Sequence, residues 1–168
     1  KFGVTTHFEG IGIAGVTAYR EGIVASKYKG LQGLIKTRGI TVIEGEGKLV
    51  APTTVQVGDD RFTGKNVVLA TRSYSRSLPG LDIGGRAITP EQAPGLPFVP
   101  RKVAVLGGGV IGVEFSSVWR SWGAEVTSIE ALPHLVPNED ESVSKQFERA
   151  FRKRGIDFKL GVRFQGVT

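Results

Sequence analysis

Lys102-Val-Ala-Val-Leu-Gly-Gly-Gly-Val-Ile-Gly112 is the stretch that decides the fold. Lys102 to Leu106 has the apolar run of a buried strand. Gly107, Gly109 and Gly112 follow in the spacing G-x-G-x-x-G. Val110 to Trp122 then reads as a helix with Phe115, Val118, Trp119 and Trp122 on one face, closed by Gly123. Strand, glycine turn and helix in that order open a dinucleotide-binding βαβ unit. Gly107 permits the tight turn, Gly109 lets the backbone approach a pyrophosphate, and Gly112 lets helix and strand pack closely. The start of the helix offers unpaired N–H groups and the positive end of its dipole to phosphate oxygens.

Downstream, Glu125 to Ile129 is a second strand, and Glu130 ends it 18 residues after Gly112. An acid there can accept both ribose hydroxyls, and it would repel a 2′-phosphate, which argues for NAD over NADP. Ala131 to Asn138 contains no Lys or Arg, and His134 reads as a neutral loop residue. Glu114, read as an acid in the first helical turn, either complements the dipole or points toward the nicotinamide or a second cofactor. Asn138 as N-cap with Glu141 three residues on forms a capping-box pattern for the next helix. Val143, Phe147, Ala150 and Phe151 are its expected apolar face, and Asp157 to Leu160 is a third strand. The βαβαβ order predicts a parallel sheet. Arg149, Arg152, Lys153 and Arg154 crowd a helix end before Gly155, where cations complement the dipole. They are read that way and not as a nucleic-acid surface.

Upstream, residues 1–13 are irregular, and 14–38 read as a helix with Val24, Tyr28, Leu31 and Ile35 on one face. Ile40 to Glu44, Lys48 to Val50, Thr54 to Val57, Arg61-Phe62 and Asn66 to Ala70 read as strands, punctuated by Pro52, Gly58-Asp59-Asp60 and Gly64. These make a small antiparallel meander. Pro79, Pro90, Pro94, Pro97 and Pro100 mark a connector without strong periodicity.

At 168 residues the chain holds one domain or two small ones. The net charge of +6 is spread along it, and no apolar run approaches a membrane span. Cys is zero, which excludes disulfides, zinc–thiolate sites and a thiol nucleophile within these residues. Met is also zero and the chain begins at Lys1, so it is expected to be a piece of something longer or a processed form.

Val103-Ala-Val-Leu-Gly-Gly-Gly-Val-Ile-Gly-Val-Glu-Phe-Ser-Ser-Val-Trp119, with Gly123-Ala-Glu-Val-Thr127 and Glu130, resembles the NAD domain of the flavin-dependent pyridine nucleotide-disulfide oxidoreductases. Ser117-Val-Trp119 and Glu148-Arg-Ala-Phe-Arg-Lys-Arg-Gly-Ile156 are similar to the dihydrolipoyl dehydrogenase branch. Glu44-Gly-Glu-Gly-Lys48, Val67-Val-Leu-Ala-Thr71 and Ser77-Leu-Pro-Gly80 look like the latter part of that branch's FAD domain. The resemblance implies an α/β fold with residues 1–80 as the C-terminal part of an FAD domain, 81–101 as a connector, and 102–168 as the start of a Rossmann-type NAD domain. It implies NAD contacts at Gly107, Gly108, Gly109, Val110, Ile111, Gly112 and Val113. It places Glu114 by the nicotinamide and flavin, Glu130 on the adenosine ribose, and Phe164 near the adenine. FAD contacts are implied at Gly47, Thr71, Arg72 and Ser73, with Arg72 standing where the family has Gly.

The implied reaction oxidises dihydrolipoamide, carried by the lipoyl-bearing acyltransferase of 2-oxoacid dehydrogenase complexes, through an enzyme disulfide and FAD to NAD. The implied assembly is a homodimer, expected in the cytoplasm. The redox cysteines and the His–Glu base of the family are not among these residues, so the isolated chain is expected to be inert. A non-catalytic NAD-binding remnant, and a related disulfide reductase or flavin transhydrogenase, stand as alternatives.

Overall fold

The computed structural model describes residues 3–166. Residues 1–2 and 167–168, the outer ends of the irregular 1–13 stretch and of the 102–168 segment, lie outside the described residues. In chain order the elements are α1 (Ile13–Thr37), β1 (Gly47–Ala51), β2 (Thr54–Val57), β3 (Asp60–Thr63), a 3₁₀ turn (Ala93–Gly95), β4 (Lys102–Leu106), α2 (Val110–Ser121), β5 (Glu125–Ile129), α3 (Glu141–Lys153) and β6 (Asp157–Lys159). They form an α/β fold in two compact units, one of residues Arg20–Tyr74 and one of the chain up to Tyr19 together with Ser75 onward.

In the smaller unit β1, β2 and β3 form the expected antiparallel meander. Leu49 pairs with Val55 and Val55 with Phe62, and the register shifts between Leu49 and Ala51. Two expected strands do not form. Ile40–Glu44 and Asn66–Ala70 lie outside regular structure, and Val42, Val68 and Leu69 are exposed. A strand needs a neighbour for its N–H and C=O groups, and among the described residues none pairs with either segment. Helix α1 forms one residue earlier than read, and its apolar face at Val24, Tyr28 and Leu31 is exposed.

In the larger unit the parallel sheet forms in the spatial order β4-β5-β6. Val103 pairs with Val126, Val105 with Ser128, and Ser128 with Phe158. Val126, Trp119, Leu135, Phe151 and Ile156 make the core, and Ala93 joins it from the proline-rich segment. The Ser128 hydroxyl, fully buried in the centre strand, has no hydrogen-bond partner among the described residues.

Both helices of this unit end on the same device. After α2, Gly123 (φ +100) donates to the Arg120 carbonyl and Ala124 to that of Trp119. After α3, Gly155 (φ +69) donates to Arg152 and Ile156 to Phe151. These are Schellman closures, which satisfy the last carbonyls and turn the chain into the next strand. The basic run is engaged here. Arg154 Nη1 donates to the Ser117 hydroxyl at 2.6 Å and Nη2 to that of Ser121 at 2.8 Å, while Arg120 Nε donates to the Arg154 carbonyl at 2.9 Å. Arg154 therefore joins the end of α3 to α2.

Helix α3 departs from its reading at two places. Its N-cap is Asp140, with no side-chain cap bond, and not Asn138. Glu139 already donates its N–H to the Val136 carbonyl at 2.9 Å, so the chain at Asn138 is still turning and helical bonding begins later. Its buried stripe is Ser144, Glu148 and Phe151, with Phe147 half-buried, while Val143 and Ala150 are exposed.

Candidate dinucleotide site

The glycine turn sits where β4 passes into α2. Gly107 has φ +107, a conformation that costs a glycine little, and its N–H extends the ladder by donating to the Ile129 carbonyl at 2.8 Å. A Cβ on Gly112 would collide with the Gly107 carbonyl oxygen and touch Val105, so this position admits no side chain. Gly109 is the opposite case: a Cβ there would meet nothing within 4 Å. Its carbonyl accepts the first helical bond, from Val113. The N–H groups of Val110, Ile111 and Gly112 thus have no acceptor inside the helix. Val110 and Ile111 are exposed, and Val113 is buried against the core.

Glu130 follows β5 directly. Its Oε2 accepts the Gly108 N–H at 2.6 Å and its Oε1 accepts the Leu132 N–H at 2.8 Å. A Cβ on Gly108 would lie 3.0 Å from the Glu130 Cβ and 2.7 Å from Leu135 Cδ2. Glu130 is further fixed through its backbone, donating to Lys159 and accepting from Val162. The acid and the turn, 22 residues apart in the chain, are thereby one constellation. Glu114 is exposed but lies past the first turn of α2, which holds no acid, so the dipole reading of it loses most of its force. Phe164 is half-buried, outside regular structure.

The sequence reading missed the residues that hold this constellation from behind. Val136 donates its N–H to the Gly108 carbonyl at 2.7 Å. It does so at φ +47, a left-handed conformation that costs a β-branched residue at least about 1–2 kcal/mol. Ser144 donates to the Val136 carbonyl at 3.4 Å, and Glu148 Oε1 accepts the Leu135 N–H at 3.2 Å. Ser144, Glu148 and Phe151 follow i, i+4, i+7 spacing, so helical periodicity alone places both polar residues on the inward face.

The open space at Gly109, the first N–H groups of α2 without helical acceptors and the fixed carboxylate fit a dinucleotide whose diphosphate lies on the helix end and whose ribose meets Glu130. The flavin-side positions differ. Gly47 sits in β1 opposite Val57, and Thr71, Arg72 and Ser73 are exposed in a segment without regular structure. Arg72 holds φ +71, a conformation that favours glycine. A depression of about 390 Å³ beside β6, lined by Arg152 and Phe158 among others, shares no residue with the turn.

The chain is similar to proteins of known class. Leghemoglobin reductase of Vigna unguiculata is 37% identical over 94% of this chain and 31% of its own length. Dihydrolipoyl dehydrogenase of Cupriavidus necator is 36% identical over 99% of this chain and 36% of its own. The chain thus spans about a third of the curated relatives it matches. Among solved structures, LpdA from Mycobacterium tuberculosis superposes with a TM-score of 0.77 at 24% identity, over 96% of this chain and 38% of that one, which shows the fold. The HOCl-induced flavoprotein disulfide reductase RclA from Escherichia coli gives 0.71 at 24% identity, over 92% and 36%. A family model described as pyridine nucleotide-disulphide oxidoreductase matches residues 5–168. With that match covering nearly every residue, the chain belongs to the pyridine nucleotide-disulphide oxidoreductase family.

Proposed function

We propose that the chain is part of a flavoprotein disulfide oxidoreductase most like dihydrolipoyl dehydrogenase, and that it binds NAD through the Gly107–Gly112 turn and Glu130. The observation that carries this reading is the Glu130 carboxylate held 2.6 Å from the Gly108 N–H, beside the open space at Gly109. On this reading residues 1–80 belong to the FAD domain, 81–101 connect, and 102–168 begin the NAD domain. Residues 107–113 hold the diphosphate, Glu130 selects an unphosphorylated ribose, Phe164 lies toward the adenine and Glu114 toward the nicotinamide. Gly47, Thr71, Arg72 and Ser73 are the flavin-side positions.

Bound NAD supplies a hydride acceptor. The residues of this chain bind and orient it. They hold no thiol, so the disulfide step that oxidises dihydrolipoamide belongs to other residues of a homodimeric parent, and these 168 residues alone turn over no substrate. A cytoplasmic parent belongs to this reading through the resemblance alone. Among the described residues no helix is long and apolar enough to cross a membrane. A related reductase of another disulfide is the second reading, with which membership of the family is equally compatible.

Calorimetric titration of the folded chain with NAD⁺ and NADP⁺ tests the site. Saturable NAD⁺ binding that exceeds NADP⁺ binding is expected; a folded chain that binds neither overturns the reading. Assay of the parent with dihydrolipoamide against other thiols separates the two substrate classes.

A further inference from the structure

We propose that Glu148, on α3, is a positioning residue for the glycine turn, acting through the Leu135–Val136 corner; the consequence for affinity rests on the NAD reading above. Glu148 is a carboxylate only 8% exposed. Charges alone do not explain its place, because its ionic neighbours are distant: His134 Nδ1 at 4.0 Å and Arg152 Nη2 at 3.8 Å. Its directed contact is to backbone, the Leu135 N–H at 3.2 Å. One helical turn earlier, Ser144 takes the Val136 carbonyl. The two side chains of α3 therefore hold both ends of a two-residue corner.

That corner does two things to the turn. The Leu135 side chain, fully buried, covers Gly108 from above, and the Val136 N–H donates to the Gly108 carbonyl at 2.7 Å. Since Glu130 takes the N–H of the same residue, Gly108 is held by both of its backbone polar groups. Val136 makes this bond in a left-handed conformation, φ +47, which a β-branched residue leaves when nothing constrains it. Glu148 and Ser144 supply that constraint. A chain of contacts thus runs from the buried stripe of α3 through residues 135 and 136 to the peptide on which the diphosphate would rest.

The test compares Glu148→Leu, which removes the acceptor but fills the space, with Glu148→Gln, which keeps a carbonyl for the Leu135 N–H. Amide hydrogen exchange is read at residues 135, 136 and 108 and, as a control for global stability, at Val103 to Val105. NAD⁺ is titrated into the same samples. E148L is expected to speed exchange at 135 and 136 about tenfold or more with β4 unchanged, and to weaken NAD⁺ binding about tenfold, the size of one buried donor left unpaired. E148Q is expected to restore both readouts to within about threefold. Unchanged exchange at 135 and 136 in E148L overturns the proposal, and so does faster exchange spread equally into β4. If the unaltered chain binds no NAD⁺, the functional reading fails while the exchange measurement still decides whether Glu148 holds the turn.

Discussion

The carboxylate of Glu130 and the N–H of Gly108 meet at 2.6 Å across the ends of two parallel strands. The acid fills the space a Gly108 side chain would need, and the glycine supplies the donor that orients the acid. A ribose arriving at Glu130 finds a negative charge already aimed.

Replacing that charge should blur the choice of cofactor. Glu130→Ala is expected to weaken NAD⁺ binding by about 1.5–3 kcal/mol, the range for hydrogen bonds to a charged group. NADP⁺ binding should fall less, because the repulsion of its 2′-phosphate is removed as well. Paired calorimetric titrations measure both; an unchanged ratio of the two affinities would falsify the selectivity role.

Two glycines three residues apart in the motif should fail differently. Gly112→Ala drives a methyl into the Gly107 carbonyl and is expected to destabilise the larger unit by about 3 kcal/mol or more, as a backbone clash with nowhere to relax. Gly109→Ala meets no protein atom, so its thermal midpoint should move little while NAD⁺ binding is lost or severely weakened. Thermal unfolding together with titration distinguishes them, and equal loss of stability in both variants would contradict the geometry.

At Arg72 the backbone argues for glycine. Arg72→Gly removes the strain of φ +71 but adds unfolded-state entropy, leaving a net gain of up to about 1 kcal/mol. A higher denaturant midpoint with an unchanged slope is the expected result. A lower midpoint would mean that the Arg side chain contributes more than its backbone conformation costs.

Glu91 should report on the proline-rich segment by its titration. Hydrogen bonds from Thr89 and then Ser75 hold its carboxyl below the usual glutamate range. Ser75 Oγ reaches its two oxygens at 3.0 and 2.8 Å. Because the folded value is the lower one, the contact stabilises above the unfolded pKa and is lost as pH falls through the folded pKa. Carboxyl carbon shifts followed by NMR should show Glu91 titrating below the usual glutamate range, and Ser75→Ala should move it upward. Titration unaffected by the substitution counts against the contact.

Much of the parallel unit was readable from local rules. A tight turn and a backbone contact restrict Gly107 and Gly112 sterically, and the Val-rich strands and Gly123 and Gly155 endings are likewise short-range signals. Glu130 was legible because its distance from the turn is fixed by one helix and one strand. The failures share a cause in pairing or burial between distant segments. Ile40–Glu44 and Asn66–Ala70 are apolar enough for strands but find no neighbour among the described residues. Ser144 and Glu148 share the inward stripe with Phe151, but their backbone partners at Leu135 and Val136 lie in a corner that no pattern within α3 announces.

Ser128 leaves the fold with a correctable defect. A hydroxyl sealed in the middle strand without a partner loses its water and gains nothing in return. Ser128→Ala removes that unmet group, opens no large void, and should raise stability by about 1 kcal/mol. Its position in β5, opposite Val105 and Phe158, is separate from the groups at Gly108 and Glu130. The protein thus carries, in its own centre strand, a ready point from which to engineer a hardier background for cofactor-binding variants that would otherwise be too fragile to measure.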